Sequence, residues 1–310
     1  MNEVKDSPLQ CLIIGSGPAG LSAALYAARA NLTPIVLSGM ALGGQVASTD
    51  TIENYPGFPE GVEGSELGDL FQNQAERFGA EVVFDAATGV DFSERPFKIT
   101  AYSGEYLAET VIIATGASPR LMDVPGEKEF TGKGVSYCAT CDGHFFQEKD
   151  VVVVGGGDSA VKEALFLTRF ANSVTIVHRR DKLRAGVLLE TRAKENPKVN
   201  FIWDSIVTEI LGEDAVRAVR LKNKQTGEEK EHPTDGVFVF IGHIPNTELF
   251  NDQLDMNAQG YLTVDRHMRT SIPGVYAAGE VADDHFQQVI ISAGMGAAAA
   301  MEAVEFLEEN

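Results

Sequence analysis

Apolar residues along the chain form two series of short runs that follow the same order. The first series predicts a helix over 21–30 and strands over 11–15, 34–37, 82–84, 97–102 and 111–116, with a hairpin turn at Ser103-Gly104. The second predicts a helix over 160–170 and strands over 151–154, 174–177, 201–203 and 237–241, with a hairpin turn at Gln225-Thr226-Gly227. Strands and helices in this order indicate two doubly wound βαβ units of one design.

The end of the chain breaks this repeat. It offers one short apolar strand within 271–280 and a helix from about Ala293 to Leu307. A segment of this size is too small to bury a core alone, so we expect it to pack on one of the two units. The predicted fold class is therefore α/β, with two Rossmann-like dinucleotide-binding domains, the second inserted into the first. Residues 1–119 and 247–310 form the first domain, and residues 120–246 form the second.

Composition and charge restrict the class of function. With 44% hydrophobic and 23% charged residues, the 310-residue chain has the composition of an ordinary globular protein. Its formal net charge of −20 argues against a nucleic-acid partner, which requires a basic face. The N-terminus lacks the basic and apolar regions of a signal peptide, and no apolar run approaches the roughly 18 residues of a membrane span. We therefore expect a cytoplasmic enzyme with no membrane association.

Two glycine-rich turns follow the first strand of each unit. They are Gly15-Ser16-Gly17-Pro18-Ala19-Gly20 and Gly155-Gly156-Gly157-Asp158-Ser159-Ala160. In such a turn the glycines permit a tight bend, let the backbone approach a pyrophosphate and allow the helix to pack closely on the strand. The helix N-terminus then offers free N–H groups and the positive end of a dipole to the anion. Each unit is thus predicted to bind one dinucleotide.

The two turns differ in the residues that are expected to reach the ribose. About twenty residues after the glycines, an acidic side chain normally accepts a hydrogen bond from the ribose 2′-hydroxyl. The second unit has His178, Arg179, Arg180 and Arg184 there, and arginine donors suit a phosphate. We therefore predict that the second site prefers NADP over NAD. The first unit has the neutral Ser38, which is compatible with the adenosine of FAD.

The chain has one closely spaced pair of cysteines, Cys138 and Cys141. A structural zinc site would need a second pair of ligands at similar spacing, and none is present, so a redox-active pair is favoured. Asp142 has two interpretations that remain open: it caps the turn ended by Gly143, or it donates a proton to a neighbouring thiolate. The third cysteine, Cys11, lies in a predicted core strand and is expected to be a buried apolar filler.

Taken in order along the chain, these motifs resemble one family. The matching segments are Gly15–Gly20, Gly43-Gly44-Gln45, Glu53-Asn54-Tyr55-Pro56-Gly57, Ala114-Thr115-Gly116-Ala117, Cys138-Ala139-Thr140-Cys141-Asp142-Gly143, His178-Arg179-Arg180-Asp181, Arg184-Ala185, Ile241-Gly242-His243 and Pro273–Gly279. Together they resemble the low-molecular-weight, bacterial-type thioredoxin reductases over essentially the whole chain. The Cys-Ala-Thr-Cys-Asp-Gly segment is highly specific to this family.

The resemblance implies a homodimeric flavoprotein that takes a hydride from NADPH onto FAD and passes two electrons through the cysteine pair to thioredoxin. On the family pattern, Cys141 faces the flavin, Cys138 attacks the disulfide of thioredoxin, and Asp142 donates a proton. The residues that would contact FAD are those of Gly15–Gly20 together with Ser38, Gly39, Gly43, Gly44, Gln45, Asn54, Ala114, Thr115, Gly116, Gly279, Glu280, Gln287, Gln288 and Val289. Those that would contact NADPH are Gly155, Gly157, Asp158, Ser159, Ala160, His178, Arg179, Arg180, Arg184, Ile241 and Gly242.

The sequence departs from this family at two positions. Glu280 stands where the family usually has an aspartate, and Gln287-Gln288-Val289 stands for the usual Arg-Gln-Ala. Loss of that arginine removes a positive charge near the flavin and is expected to disfavour the reduced, anionic flavin. Ferredoxin as electron donor, a different thioredoxin-like partner and a redox sensor without turnover are the alternative functions. The arginine cluster and the acidic surface argue against ferredoxin.

The two segments that connect the domains are the expected hinges. The nucleotide site and the cysteine pair both belong to the inserted domain, and the resemblance implies that each must reach the same flavin. Both need near-contact geometry with the flavin ring, so we expect the inserted domain to rotate between two arrangements. The pivots are predicted near Ala117–Arg120 and Pro245–Thr247.

Overall fold

The computed structural model describes residues 8–40, 42–48, 51–52 and 54–310. The polar N-terminal segment and Glu53 of the family motif therefore lie outside the described residues. The chain divides into two compact units, Met1–Ser118 with Ile244–Asn310 (unit 1) and Pro119–His243 (unit 2). The sequence placed the domain boundaries after residues 119 and 246, and the assignment of these segments to an FAD domain and an NADPH domain is not tested by this division. Which dinucleotide each unit binds stays a prediction.

The helices and strands are numbered in chain order. The strands are β1 (Leu9–Ile14), β2 (Ile35–Leu37), β3 (Thr51–Ile52), β4 (Val62–Glu63), β5 (Glu81–Val83), β6 (Ala87–Asp91), β7 (Phe97–Ala101), β8 (Gly104–Ile113), β9 (Ala117–Pro119), β10 (Val135–Ser136), β11 (Asp150–Gly155), β12 (Ser173–Val177), β13 (Val199–Ile202), β14 (Ser205–Gly212), β15 (Val216–Asn223), β16 (Glu229–Pro233), β17 (Gly236–Phe240), β18 (His243–Pro245) and β19 (Val275–Ala277). The helices are α1 (Pro18–Arg29), α2 (Gly64–Arg77), α3 (Ala139–Asp142), α4 (Asp158–Leu167), α5 (Val187–Glu195) and α6 (Val289–Glu309), with 3₁₀ turns at Gly44–Ser48, Gly143–Phe146 and Glu248–Phe250.

Unit 1 is built on one sheet with the strand order β5-β2-β1-β8-β7-β6, and β19 also pairs with β8. Strands β5, β2, β1, β8 and β19 are parallel, whereas β6, β7 and β8 form an antiparallel meander. Helices α1 and α6 cover one face of this sheet through a core rich in alanine. The other face carries a second core that includes Phe92, Phe97 and Phe250.

Small residues let α1 and α6 approach each other closely. A Cβ added at Gly296 of α6 would lie 2.0 Å from the carbonyl oxygen of Ala19 in α1. The contact surface continues along the buried Ala299, Ala300 and Ala303 of α6. Because no long side chain separates the two helices, the C-terminal helix is an integral part of the core of unit 1.

Unit 2 contains a parallel sheet with the strand order β10-β17-β11-β12-β13 and an antiparallel sheet of β14, β15 and β16. Alternate residues of β11 point to opposite faces of the parallel sheet. Val151 and Val153 belong to the core that includes α4, and Val152 and Val154 belong to the core shared with β14 and β15. The sheet is therefore buried on both faces, as its apolar sequence requires.

The α/β class and the two Rossmann-like units predicted from sequence are confirmed, although several elements were missed. Helices α2 and α5 were not predicted, and α6 begins at Val289 rather than near Ala293. The statement that no apolar run approaches a membrane span was also wrong. Among the described residues, α6 is long and apolar enough to cross a membrane by length and composition alone. Its small-residue face nevertheless packs on α1 in the core of unit 1.

Candidate active site

The cysteine pair lies in unit 2, immediately after β10. Cys138 and Cys141 form a disulfide across the short helix α3. The Cys141 N–H donates to Cys138 Sγ over 3.2 Å, and Thr140 Oγ1 lies 3.3 Å from the same sulfur. Polar groups that contact a sulfur in this way stabilise its negative charge when the disulfide is reduced. Both cysteines are partly exposed.

Asp142 does not cap the turn that follows it. Its side chain makes no capping hydrogen bond to the 3₁₀ turn Gly143–Phe146. The Ser136 hydroxyl donates to Asp142 Oδ2 over 2.6 Å, and the Asp142 N–H donates to the Cys138 carbonyl oxygen over 3.1 Å. Both interpretations left open by the sequence, a cap for the turn that Gly143 ends and a proton donor, stay predictions.

A buried carboxylate anchors the residue that precedes the cysteine pair. Tyr137 donates its hydroxyl to Glu127 Oε1 over 3.0 Å, and Glu127 is only 1% exposed. The same carboxylate accepts the N–H groups of Met122 and Asp123. Burial and the Glu127 charge raise the pKa of Tyr137, so this phenol stays protonated and keeps its hydrogen bond at neutral pH.

The second glycine-rich turn lies at the carboxyl end of β11, on the same edge of the parallel sheet as the cysteine pair. Gly157 precedes the first turn of α4, and a Cβ added to it would have only Arg184 Nη2 within 4 Å, at 3.8 Å. The side chain of Asp158 accepts the Gly186 N–H over 2.7 Å. This bond draws the chain after β12 toward the turn. The space in front of Gly157 suits a pyrophosphate that binds backbone N–H groups.

His178 and the arginines after it surround this turn. The His178 ring packs against Gly156, where an added Cβ would lie 2.2 Å from Nδ1, and the Arg184 N–H donates to the Gly156 carbonyl oxygen. Burial lowers the pKa of His178, and the nearby arginine charges lower it further. Its Nε2 is buried with no hydrogen-bond partner among the described residues. Arg179 and Arg180 are exposed, and no ion pair to either occurs in the described part of the chain.

The first glycine-rich turn connects β1 to α1 in unit 1. A Cβ added at Gly20 would lie 1.8 Å from the Gly15 carbonyl oxygen, so only glycine permits this helix to start so close to the strand. A Cβ at Gly17 would meet nothing within 4 Å, which leaves space for an anion in front of α1. Ser16 is buried and donates to the Ser38 carbonyl oxygen, and Ser38 donates its own hydroxyl to Gly39.

Gln45 and Glu280 meet beside this turn. Gln45 Nε2 donates to Glu280 Oε2 over 3.0 Å and also contacts the Ala117 carbonyl oxygen. Burial raises the pKa of Glu280 to about 7; the Gln45 hydrogen bond opposes this effect, and the Asp283 charge adds to it. The carboxyl of Glu280 is therefore poised to gain or lose a proton near neutral pH.

The residues before α6 form a loop around Asp283. Its carboxylate accepts the N–H groups of His285, Phe286 and Gln287, and Gln287 has a positive φ of 52°. These bonds bring Gln288 to the start of α6, where its Oε1 accepts from the Asn54 side chain over 3.1 Å. Asp283 belongs to no sequence motif, and its role emerges only in the folded loop.

Asn246 fastens the chain where it returns to unit 1. Its side chain donates to the Thr115 carbonyl oxygen over 2.8 Å and accepts from the Ser118 hydroxyl over 3.1 Å. The Thr115 hydroxyl donates to the Asn246 carbonyl oxygen over 2.7 Å, and the Asn246 N–H donates to Gly116. The segments on either side of the inserted unit are thus joined within unit 1, and β9 pairs with β18.

The predicted flavin-contacting residues lie together in unit 1, and the predicted nucleotide-contacting residues lie together in unit 2. Within each unit they follow the carboxyl ends of parallel strands, the edge at which such sheets bind ligands. The open glycine turns in both units and the unpartnered His178 Nε2 are compatible with bound dinucleotides. Among the described residues, no group of three or more His, Cys, Asp or Glu side chains is arranged to hold a metal ion.

The fold and the cysteine pair define a disulfide oxidoreductase built from two Rossmann-like units. Comparison with known proteins agrees. The family model described as pyridine nucleotide-disulphide oxidoreductase matches residues 9–296. The chain therefore belongs to the pyridine nucleotide-disulphide oxidoreductase family, in its branch of low-molecular-weight thioredoxin reductases. Membership implies a flavin and a pyridine nucleotide as cofactors.

The relatives that place the chain in this branch match it over nearly its full length. The thioredoxin reductase of Streptomyces coelicolor is 48% identical over 299 residues, which cover 96% of this chain and 93% of that protein. The thioredoxin reductase of Rickettsia bellii is 51% identical over 96% of this chain and 98% of its own length. The crystal structure of thioredoxin reductase from Streptococcus pyogenes superposes with a TM-score of 0.91 at 45% identity and covers 99% of this chain and 100% of that chain.

Proposed function

We propose that this protein is an NADPH-dependent thioredoxin reductase with FAD as its flavin. The observation that carries the proposal is the Cys138–Cys141 disulfide at the same sheet edge as an arginine-flanked dinucleotide turn. When bound, the flavin supplies two-electron chemistry: it accepts a hydride from a reduced nicotinamide and passes electrons to a disulfide. The near-full-length similarity to thioredoxin reductases supports thioredoxin as the substrate.

The chain's own residues account for the choice of nucleotide. The open turn at Gly157 suits the pyrophosphate, and the exposed guanidinium groups of Arg179 and Arg180 suit a 2′-phosphate. Neither arginine is held by an acidic side chain of the described residues, so both are available to an anionic ligand. No acidic side chain occupies the position that would accept a ribose 2′-hydroxyl. The site is therefore suited to NADPH rather than NADH.

The cysteines carry out the exchange with thioredoxin. In the reduced pair, Cys138 attacks the thioredoxin disulfide as a thiolate, which the Cys141 N–H and the Thr140 hydroxyl stabilise. Cys141 then attacks the mixed disulfide, releases reduced thioredoxin and restores the Cys138–Cys141 bond. Asp142 supplies the proton that the departing thiolate requires. On the family pattern, Cys141 is the sulfur that faces the flavin.

We further propose that the protein acts as a homodimer in the cytoplasm. Large apolar side chains of unit 1 are exposed in the single chain, among them Met40, Phe286 and Met301. An apolar surface between two copies would remove them from water.

The one remaining thiol, Cys11, is buried, and burial raises its pKa to about 12. It is thus protected from reaction with the redox pair.

A steady-state assay tests the proposed function. NADPH, NADH and reduced ferredoxin are each offered to the flavin-loaded protein with oxidised thioredoxin present and absent. We expect rapid NADPH oxidation only with thioredoxin, at least about tenfold slower turnover with NADH, and none with ferredoxin. Turnover with reduced ferredoxin would contradict NADPH as the electron donor and assign that role to ferredoxin. Reduction of the flavin without any thioredoxin turnover would favour a redox sensor.

A further inference from the structure

Ser136 lies at the end of β10, two residues before Cys138, and is only 5% exposed. Its hydroxyl oxygen accepts the Cys138 N–H over 3.1 Å. Its single proton has two acceptors within reach, Asp142 Oδ2 at 2.6 Å and the Cys138 carbonyl oxygen at 3.2 Å. A hydroxyl donates one hydrogen bond and accepts two, so this proton serves one of the two acceptors at a time.

We propose that Ser136 is a positioning residue that keeps Asp142 hydrogen-bonded in both of its protonation states during disulfide exchange. When Asp142 is ionised, the Ser136 hydroxyl donates to Oδ2. When Asp142 carries a proton, the acid donates to Ser136 Oγ, and the hydroxyl proton turns to the Cys138 carbonyl oxygen. In the second state Ser136 accepts two hydrogen bonds and donates one, which fully satisfies its capacity. The proposal rests on the proposed function.

The exchange cycle requires both states of Asp142. The Cys138 thiol first gives its proton to Asp142, and the thiolate attacks one sulfur of the substrate. A bond forms between Cys138 Sγ and that sulfur as the substrate S–S bond breaks, and the departing thiolate takes the proton from Asp142. Cys141 then displaces the second substrate thiol, which leaves with the Cys141 proton. The cysteine pair loses two electrons, and the substrate gains them as two thiols.

Two disulfide substrates with different leaving groups distinguish a role in positioning Asp142 from a merely structural role of Ser136. An alkyl thiolate is basic and requires a proton as it departs, whereas a nitrobenzoate thiolate leaves readily as the anion. If Ser136 acts by holding Asp142, its removal slows exchange with an alkyl disulfide and spares exchange with the aryl disulfide. A distortion of the cysteine pair would slow both reactions.

The experiment uses the flavin-loaded protein, reduced with dithiothreitol and freed of excess reductant. Single-turnover rates are measured with bis(2-hydroxyethyl) disulfide and with 5,5′-dithiobis(2-nitrobenzoate). For Ser136→Ala we expect about a tenfold loss with the alkyl disulfide and less than about a twofold loss with the aryl disulfide. Ser136→Thr, which restores the hydroxyl, should recover the alkyl rate. The matched control is Ser173→Ala, because Ser173 donates to Asp150 over the same 2.6 Å in the same unit and far along the chain from the cysteines.

Equal loss with both substrates, or no loss with either, would overturn the proposal. If Ser136→Ala fails to fold, the isosteric pair Ser136→Thr and Ser136→Val supplies the same comparison. In an Asp142→Asn background, Ser136→Ala should not slow exchange with the alkyl disulfide any further. Additive rate losses from the two substitutions would contradict a shared role. These rates need neither NADPH nor thioredoxin. Failure of the steady-state assay therefore disproves the proposed function without disproving the role of Ser136.

Discussion

Replacing Glu280 with glutamine should remove a pH-dependent loss of stability. Glu280 is a partly buried carboxyl in unit 1 whose pKa is raised from 4.5 to about 7, chiefly by removal from water. An acid with a higher pKa in the folded state holds its proton more tightly when folded. Between pH 4.5 and 7 the Glu280 carboxyl is ionised in the unfolded chain but still protonated in the folded one. Unfolding therefore releases a proton, and the free energy of unfolding falls as the pH rises. The loss is complete above about pH 7.

The size of the effect follows from the two pKa values. A difference between 4.5 and about 7 corresponds to at most about 3.5 kcal/mol, since each pKa unit is worth about 1.4 kcal/mol. For a unit of this size, that free energy shifts the melting temperature by on the order of 6–12 °C. Glutamine keeps an oxygen that accepts the Gln45 hydrogen bond, so the substitution removes the charge and little else.

Thermal unfolding from pH 5 to pH 8, at one saturating flavin concentration, measures this effect. Glu280→Gln should melt close to the unmodified protein at pH 5 and several degrees above it at pH 8. The control is Glu94→Gln, which alters an exposed glutamate in the same unit and should leave the pH dependence unchanged. Parallel melting curves for the Glu280→Gln and unmodified proteins across this range would refute the reasoning.

Three further changes test other parts of the structure. Removal of Arg179 or of Arg180 should each raise the KM for NADPH about tenfold and leave the KM for NADH nearly unchanged, because each arginine makes a charge-assisted contact with the phosphate that only NADPH carries. Steady-state kinetics with both nucleotides check this prediction, and an equal rise in the KM for NADH would contradict it. Cys138→Ser should abolish thioredoxin turnover while NADPH still bleaches the flavin absorbance in stopped flow. Gly296→Ala should destabilise unit 1 by about 1–3 kcal/mol through overpacking against α1, whereas Gly294→Ala, which meets nothing within 4 Å, should be tolerated in the same melting assay.

Features that depend on short stretches of sequence were predictable. Each glycine turn and the cysteine pair spans only a few residues, so the backbone geometry that each requires is set by its own short stretch of sequence. The role of Ser136 was not predicted, and for Glu280 only a contact with FAD was expected, not its hydrogen bond with Gln45 or its raised pKa, because these features arise from neighbours that only the fold brings close. The Ser136 hydroxyl reaches Asp142 across α3, and Gln45 donates a hydrogen bond to Glu280 from a distant part of the chain.

The missed helices show where apolar periodicity fails as a guide. Helix α5 exposes Val187 and Leu188, at 81% and 64%, and buries only Ala193. Its apolar residues therefore do not mark its buried face. Helix α6 begins before two glycines that weaken helix propensity, yet Gly296 is what lets the helix lie against α1. Tertiary packing overrides the local preference in both helices.

The division of unit 1 by the insertion has a consequence for synthesis on the ribosome. Strand β19 pairs with β8, and α6 covers the alanine face of α1, yet both are translated after unit 2. Unit 2 is one continuous segment and is complete once residue 243 has emerged. Because chains emerge at roughly 5–20 residues per second, the alanine face of α1 stays without α6 for on the order of 10–60 seconds. Unit 2 is thus expected to fold before unit 1, whose two segments flank it in the sequence. The nascent chain is most vulnerable to aggregation in that interval.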